Sequence, residues 1–271
     1  MEIIITPGGW GNVELQDICQ VLNSVDMAFQ PCFGENISRF PVTVIHVQNS
    51  DSPYCNRTDR FVYLTTEGTH WCQYAYQFSH EYCHLQIPRK VQSRLRWFEE
   101  SICELASFYF QSCGKSLRHI WVGWHTPRIL RNMLSICRER SRNCLIWILC
   151  LEFSNLQNPV IEYLEKTEYD RPKNAFIATK LMPIFEADAT LWRSVPMLCE
   201  IPDGLSLCFS LKYWQEIAPP EYRYSIQEIA HLFSLKIWIA PPPSVFFLGS
   251  FSRFLSNHAA EHSRSLFVIQ S

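Results

Sequence analysis

The chain is 271 residues long and 47% apolar, with nine Trp, eleven Tyr and eighteen Phe, a composition that excludes an intrinsically disordered chain. Its 24 Lys and Arg against 26 Asp and Glu leave a net charge of −2, which argues against a surface that neutralises many phosphates and so against nucleic acid as the main partner. A chain of this length makes one large domain or two small ones and buries enough surface to fold without staples.

In chain order, Ile3–Ile5 ahead of Pro7-Gly8-Gly9 reads as a short buried strand and turn. The first residues carry no basic region, and their apolar run is too short for a signal peptide. Leu15, Ile18, Cys19, Leu22 and Met27 recur at helical spacing and predict a helix over 12–28. Val42–Val47, β-branched and bounded by Pro41 and Asn49-Ser50-Asp51, is a strand; Phe61–Thr66, closed by Glu67-Gly68, is a second. A helix over 70–86 is stopped by Pro88, and another over 97–112 by Gly114. Further helices are expected over 126–152, 174–186, 209–217 and 224–235. The longest apolar run, Cys144–Leu151, is far short of the ~20 residues that span a bilayer.

Strands with helices between them, then helices alone, predict an α+β protein with a small sheet in its N-terminal part. The expected division is a sheet-bearing lobe over 1–115, a helical lobe over 116–240 and a poorly specified tail over 241–271 after Pro241-Pro242-Pro243. Twelve cysteines occur without a single C-x-x-C pair, so neither a zinc ribbon nor a thioredoxin-type motif is present. With no secretion signal, a cytoplasmic protein with buried thiols is expected.

One motif carries chemistry. His80-Glu81-Tyr82-Cys83-His84 is an H-E-x-x-H sequence inside the helix expected over 70–86. Four residues of helix rotate by about 40°, so both imidazoles leave one face and can bind a single Zn²⁺. Phe78, Tyr82 and Leu85 lie on the opposite face, as a core anchor. On the next helix Phe98, Ile102, Leu105 and Tyr109 share one face, while Glu100 and Glu104 share another. Two acids four residues apart are usually a solvated face. Two His and a carboxylate are also the ligand set of a catalytic zinc, with one position left for water. A further carboxylate one turn on, Glu104, suits the N–H of a ligating imidazole.

These residues resemble the gluzincin metallopeptidases, the thermolysin-like and aminopeptidase-like enzymes. The likeness covers about 61–110 and is nearest to the small members of unassigned substrate. In that family a second helix, often close to W-L-N-E-G-x-A-E, carries the third ligand. Here it reads Trp97-Phe98-Glu99-Glu100-Ser101-Ile102-Cys103-Glu104. The resemblance implies a zincin-like lobe with Zn²⁺ on His80, His84 and Glu100, Glu104 behind an imidazole, and Glu81 as general base. It implies a zinc-dependent hydrolase of peptide or protein substrates. Phe61–Thr66 would be the edge strand that pairs with extended substrate. A Tyr or His of the helical lobe would steady the oxyanion, and Tyr169 is the candidate. The chain departs from the pattern with Glu99 in place of Asn, Ser101 in place of Gly, and a shorter loop between the motifs. Glu99 and Glu100 are therefore both available as third ligand, and Glu104 four residues on favours Glu100. No G-x-M-E-N substrate motif occurs. The rival reading is a zincin-like binding or regulatory protein without catalysis.

Other constellations carry less. His258-Ala259-Ala260-Glu261-His262 reads as an inverted zinc motif, but no acid remains downstream to complete it. His119 and His125 are six residues apart, the wrong spacing for one helical face. Arg138, Arg140 and Arg142 interleave with Glu139 as a solvated face.

Overall fold

Residues 1–37, 40–48, 50–112, 159–167 and 169–235 are described by the computed structural model, and all belong to one unit, Met1–Ile237. The expected boundaries near 115 and 240, the helix over 126–152 and the tail from 241 lie outside them. Within the described residues the protein is α+β, with one small mixed sheet and mostly helix elsewhere.

Ile3–Ile5 (β1), Val42–His46 (β2), Tyr54–Asn56 (β3) and Phe61–Leu64 (β4) form a sheet in the order β1-β2-β4-β3. β1, β2 and β4 run parallel; β3 is antiparallel to β4 and forms the edge. This corrects the sequence expectation, which placed the edge at Phe61–Thr66. β4 is interior because a hairpin returns the chain beside it. Asn56 closes that hairpin: its Oδ1 accepts from the backbone N–H of Thr58 and of Asp59, at 3.0 and 3.2 Å. Arg60 then takes a positive φ of 56°.

β1 and β2 run parallel and are joined by a helical crossover, α1, Leu15–Phe33, which buries Ile18, Leu22, Val25 and Phe29. It runs five residues past its expected end because Phe29, Cys32 and Phe33 continue the apolar face, and it stops at Gly34. There φ is +59°, and a Cβ would lie 2.9 Å from the Arg193 guanidinium. After β4 come α2, Trp71–Gln86, and α3, Arg96–Ser112. The helical part follows as α4 (Pro159–Leu164), α5 (Arg171–Ala187), a 3₁₀ segment over Ala189–Glu200, α6 (Leu207–Ile217) and α7 (Arg223–Leu232). No helix among the described residues is long and apolar enough to cross a membrane.

α3 is the central element. Every residue from Ser101 to Phe110 is buried, since α2 packs on one side of the helix and α5 on the other. Trp192 ties the parts together: its ring lies 5.6 Å from Phe33, 5.4 Å from Phe110 and 4.6 Å from Phe185. The eight described cysteines carry thiols rather than disulfides; Cys32, Cys83 and Cys103 are buried and the other five half-buried.

Candidate metal centre

α2 is anchored at two points. Gln77, in its second turn, accepts from the Thr65 backbone N–H at 3.0 Å and donates to Thr65 Oγ1 at 2.8 Å, docking the helix on the end of β4. Tyr82 donates to the buried carboxylate of Asp26 on α1 at 2.7 Å. Phe78, Tyr82 and Leu85 are buried, as their face requires. The opposite face, with His80, Glu81 and His84, is thereby held against α3 in a cleft of about 380 Å³.

α3 meets it with three carboxylates. His80 Nε2 lies 3.2 Å from one oxygen of Glu100, and His84 Nε2 lies 3.4 Å from the other. One donor atom from each of His80, His84 and Glu100 falls within 4.8 Å of the other two. The outer nitrogen of each ring is also engaged. His80 Nδ1 lies 3.5 Å from Glu104, and His84 Nδ1 lies 2.7 Å from Glu99. Both outer carboxylates are in turn held: Tyr76 donates to Glu104, and Arg57 pairs with Glu99. Arg57 also donates to the backbone oxygen of His84 at 2.9 Å. Two imidazoles and a carboxylate that converge, each ring fixed from behind by a carboxylate, are a donor set that suits a divalent metal.

The electrostatics follow from this geometry. Burial opposes a charge on His80, but its hydrogen bonds to Glu100 and Glu104 outweigh burial and push its pKa up to about 10. His84 is raised well above the ordinary histidine range against the same opposition, by Glu100 and Glu99. Burial would raise Glu100, yet the two imidazoles hold it well below the usual carboxylate range. These shifts are one interaction seen from both partners. Each ring faces a carboxylate at both nitrogens, which favours the charged imidazolium, while Arg57 Nη2, 3.0 Å from His84 Nδ1, opposes it there. A proton on Nε2 of either ring competes with a metal for the same nitrogen.

Glu81 is different. It is 4% exposed, and burial raises its pKa, partly offset by His80 and His84. Cys55 on β3 lines the same cleft, and burial, then Glu81, raises its thiol pKa. The edge strand thus stands beside the base.

The sequence-derived residues His80, Glu81, His84 and Glu100 all line one cleft, and Glu104 stands behind His80. Of the two possible third donors, Glu100 converges with the imidazoles and Glu99 turns to the back of His84. Tyr169 lines the same cleft, half exposed, with the Arg171 guanidinium 5.8 Å from its ring centre. Four participants had no signal specific enough to single them out: Arg57, Tyr76, Cys55 and Arg171. Tyr76 alone carried a trace, being one turn before His80 on the same helical face. The chain matches no known family model, no curated protein and no solved structure. The likeness to gluzincins therefore rests on the motif residues themselves.

Proposed function

We propose that this protein is a zinc-dependent peptidase of gluzincin type. One observation carries the reading: one donor atom each of His80, His84 and Glu100 lies within 4.8 Å of the others, while each Nδ1 is backed by its own carboxylate. The nitrogen and oxygen donors suit zinc, which when bound supplies Lewis acidity to a carbonyl and an activated water.

The chain's own residues do the rest. Glu99 and Glu104 fix the imidazole tautomers, keeping Nε2 of each ring directed at the centre. Glu81 takes a proton from water on its carboxylate and returns it to the leaving amine; its raised pKa suits a group that must do both near neutral pH. Burial of Glu81 keeps bulk water from competing for that proton. Among the described residues β3 is an edge of the sheet beside the cleft, where an extended peptide would add as a further strand. Tyr169, which lines the cleft, is the donor offered to an oxyanion.

The test is direct. Protein purified without chelators is expected to hold about one zinc per chain, and His80→Ala to lose it. Glu81→Gln is expected to keep the metal and to lose hydrolysis of a peptide library by at least a hundredfold. Zinc-free protein would refute the metal centre. Zinc-loaded protein that cleaves nothing, with Glu81→Gln behaving as the unsubstituted chain, would leave a binding protein on a peptidase frame.

A further inference from the structure

The charges that line the cleft are sorted by place. Its acids, Glu81, Glu99 and Glu100, sit at the centre, and Arg57 is taken up by Glu99. The remaining cations sit at the two ends. α2 and α3 run antiparallel: His84 faces Glu99, and Tyr76 faces Glu104. Arg96 opens α3 at the His84 end, and Lys90 lies in the turn just before it. Arg171 lies at the other end, over the Tyr169 ring, where burial opposes its charge and Tyr169, Tyr76 and Glu104 offset it. Its place there is set by a helix cap. Asp170 accepts from the Lys173 backbone N–H at 3.2 Å, so Arg171 is the first residue of α5. Asp170 itself is paired with Lys173, and among the described residues no carboxylate makes an ion pair with Lys90 or Arg171.

The spacing is set by the helices. From Tyr76 to His84 on α2, and from Arg96 to Glu104 on α3, is eight residues, about 12 Å of axis at 1.5 Å each. β3 runs along the same line, with Cys55 beside Glu81 and Arg57 beside His84. A peptide laid on that edge advances about 3.3 Å per residue, so about four residues bridge the two cationic ends, with the centre between them.

We propose that the cleft selects acidic peptides, those with carboxylate side chains about four residues apart on either side of the bond presented to the centre. Arg171 holds one carboxylate, and Lys90 holds the other. This rests on the reading of the cleft as a peptide site, and it specifies the substrate class. The clustering of one sign of charge at the mouths of a cleft also steers such peptides inward, an effect that salt weakens.

The test uses the 271-residue Glu81→Gln chain, zinc-loaded, and three fluorescein-labelled octapeptides. They are identical except for Glu, Gln or Lys at two positions four residues apart. Binding is read by fluorescence anisotropy. At about fivefold per charge, the upper end for a partly exposed ion pair, the Glu peptide is expected to bind about 25-fold tighter than the Gln peptide. The Lys peptide should be weaker still. Arg171→Glu and Lys90→Glu, both at exposed positions, should each remove at least fivefold of the preference, and 0.5 M salt should compress it. Equal binding of Glu and Gln peptides overturns the proposal, as does a preference that survives both charge reversals. The zinc-loaded unsubstituted chain, given the same peptides, separates the two readings. Cleavage of all three at one rate keeps the peptidase and discards the specificity. Charge-selective binding without cleavage keeps the specificity and discards the peptidase.

Discussion

Removing the Arg57 guanidinium tests whether the outer half of the site is as tightly coupled as its geometry requires. In Arg57→Met the Glu99 carboxylate, 5% exposed, loses its ion pair while remaining buried beside His84. Breaking a buried pair from one side costs about 3–5 kcal/mol, and the surviving contact with His84 Nδ1 argues for the low end. The His84 carbonyl also loses a donor at 2.9 Å, worth about 1 kcal/mol. Together these give about 4 kcal/mol, or roughly 8–16 °C in Tm for a domain of this size. Arg57→Met/Glu99→Gln should recover about 3 kcal/mol of that, because the neutral amide needs no counter-charge and its carbonyl still accepts from His84. Glu99→Gln alone should lose about 1–2 kcal/mol, since the Arg57 side chain is 20% exposed and reaches water. Urea unfolding of the metal-free variants, followed by tryptophan fluorescence, measures all four corners of the cycle. Additivity within about 0.5 kcal/mol would refute a coupled Arg57–Glu99–His84 unit.

Two further outcomes follow from the same geometry. Metal uptake near neutral pH should release close to two protons, and apparent affinity should climb up to a hundredfold per pH unit until the pH nears the His80 value of about 10. Titration calorimetry in buffers of different ionisation enthalpy counts the protons, and release of none would show both rings to be neutral already. The sign for the metal-free fold is opposite: a histidine pKa raised on folding stabilises fully below about 6.5, and that contribution fades as pH rises through about 10. Tyr76→Phe should weaken zinc by about tenfold through the Glu104 carboxylate, at little cost in stability; unchanged affinity would show that Glu104 needs no such support.

The sequence made some of this legible and hid the rest, for reasons that differ by residue. The strands at 42–46 and 61–64 and both site helices were readable because their periodicity is strong and glycine or proline ends them. β3 was not, because Tyr54-Cys55-Asn56 has no apolar alternation and is a strand only because β4 lies beside it. The 3₁₀ segment over Ala189–Glu200 was hidden too, since runs that long are uncommon and Pro196 reads as a breaker. His80, Glu81, His84 and Glu100 came from one local pattern each. Arg57 reaches the site across 42 positions of sequence to Glu99, and no local spacing encodes that contact.

The Glu99 departure, which reads in sequence as a blemish on the motif, acquires a reason in the charge balance of the site. Asn at that position would accept from His84 without adding charge; Glu adds a negative charge inside a helix buried all round. With His80 and His84 protonated, the two rings and Arg57 answer the three carboxylates paired with them, Glu99, Glu100 and Glu104, and Glu81 stands outside this set as a buried acid whose pKa burial raises. A divalent ion that replaces both Nε2 protons leaves that balance unchanged. Arg57 is thus the compensation that lets Glu99 stand in for a neutral residue in both states, at a position where an uncompensated carboxylate would cost several kcal/mol. If metal and protons exchange in this way, the charge balance between α2 and α3 would not require a metal, unlike that of small domains whose folding free energy is metal binding. Arg57 and Glu99 would therefore be expected to vary together: where the acid is Asn or Gln, the arginine has no charge to answer.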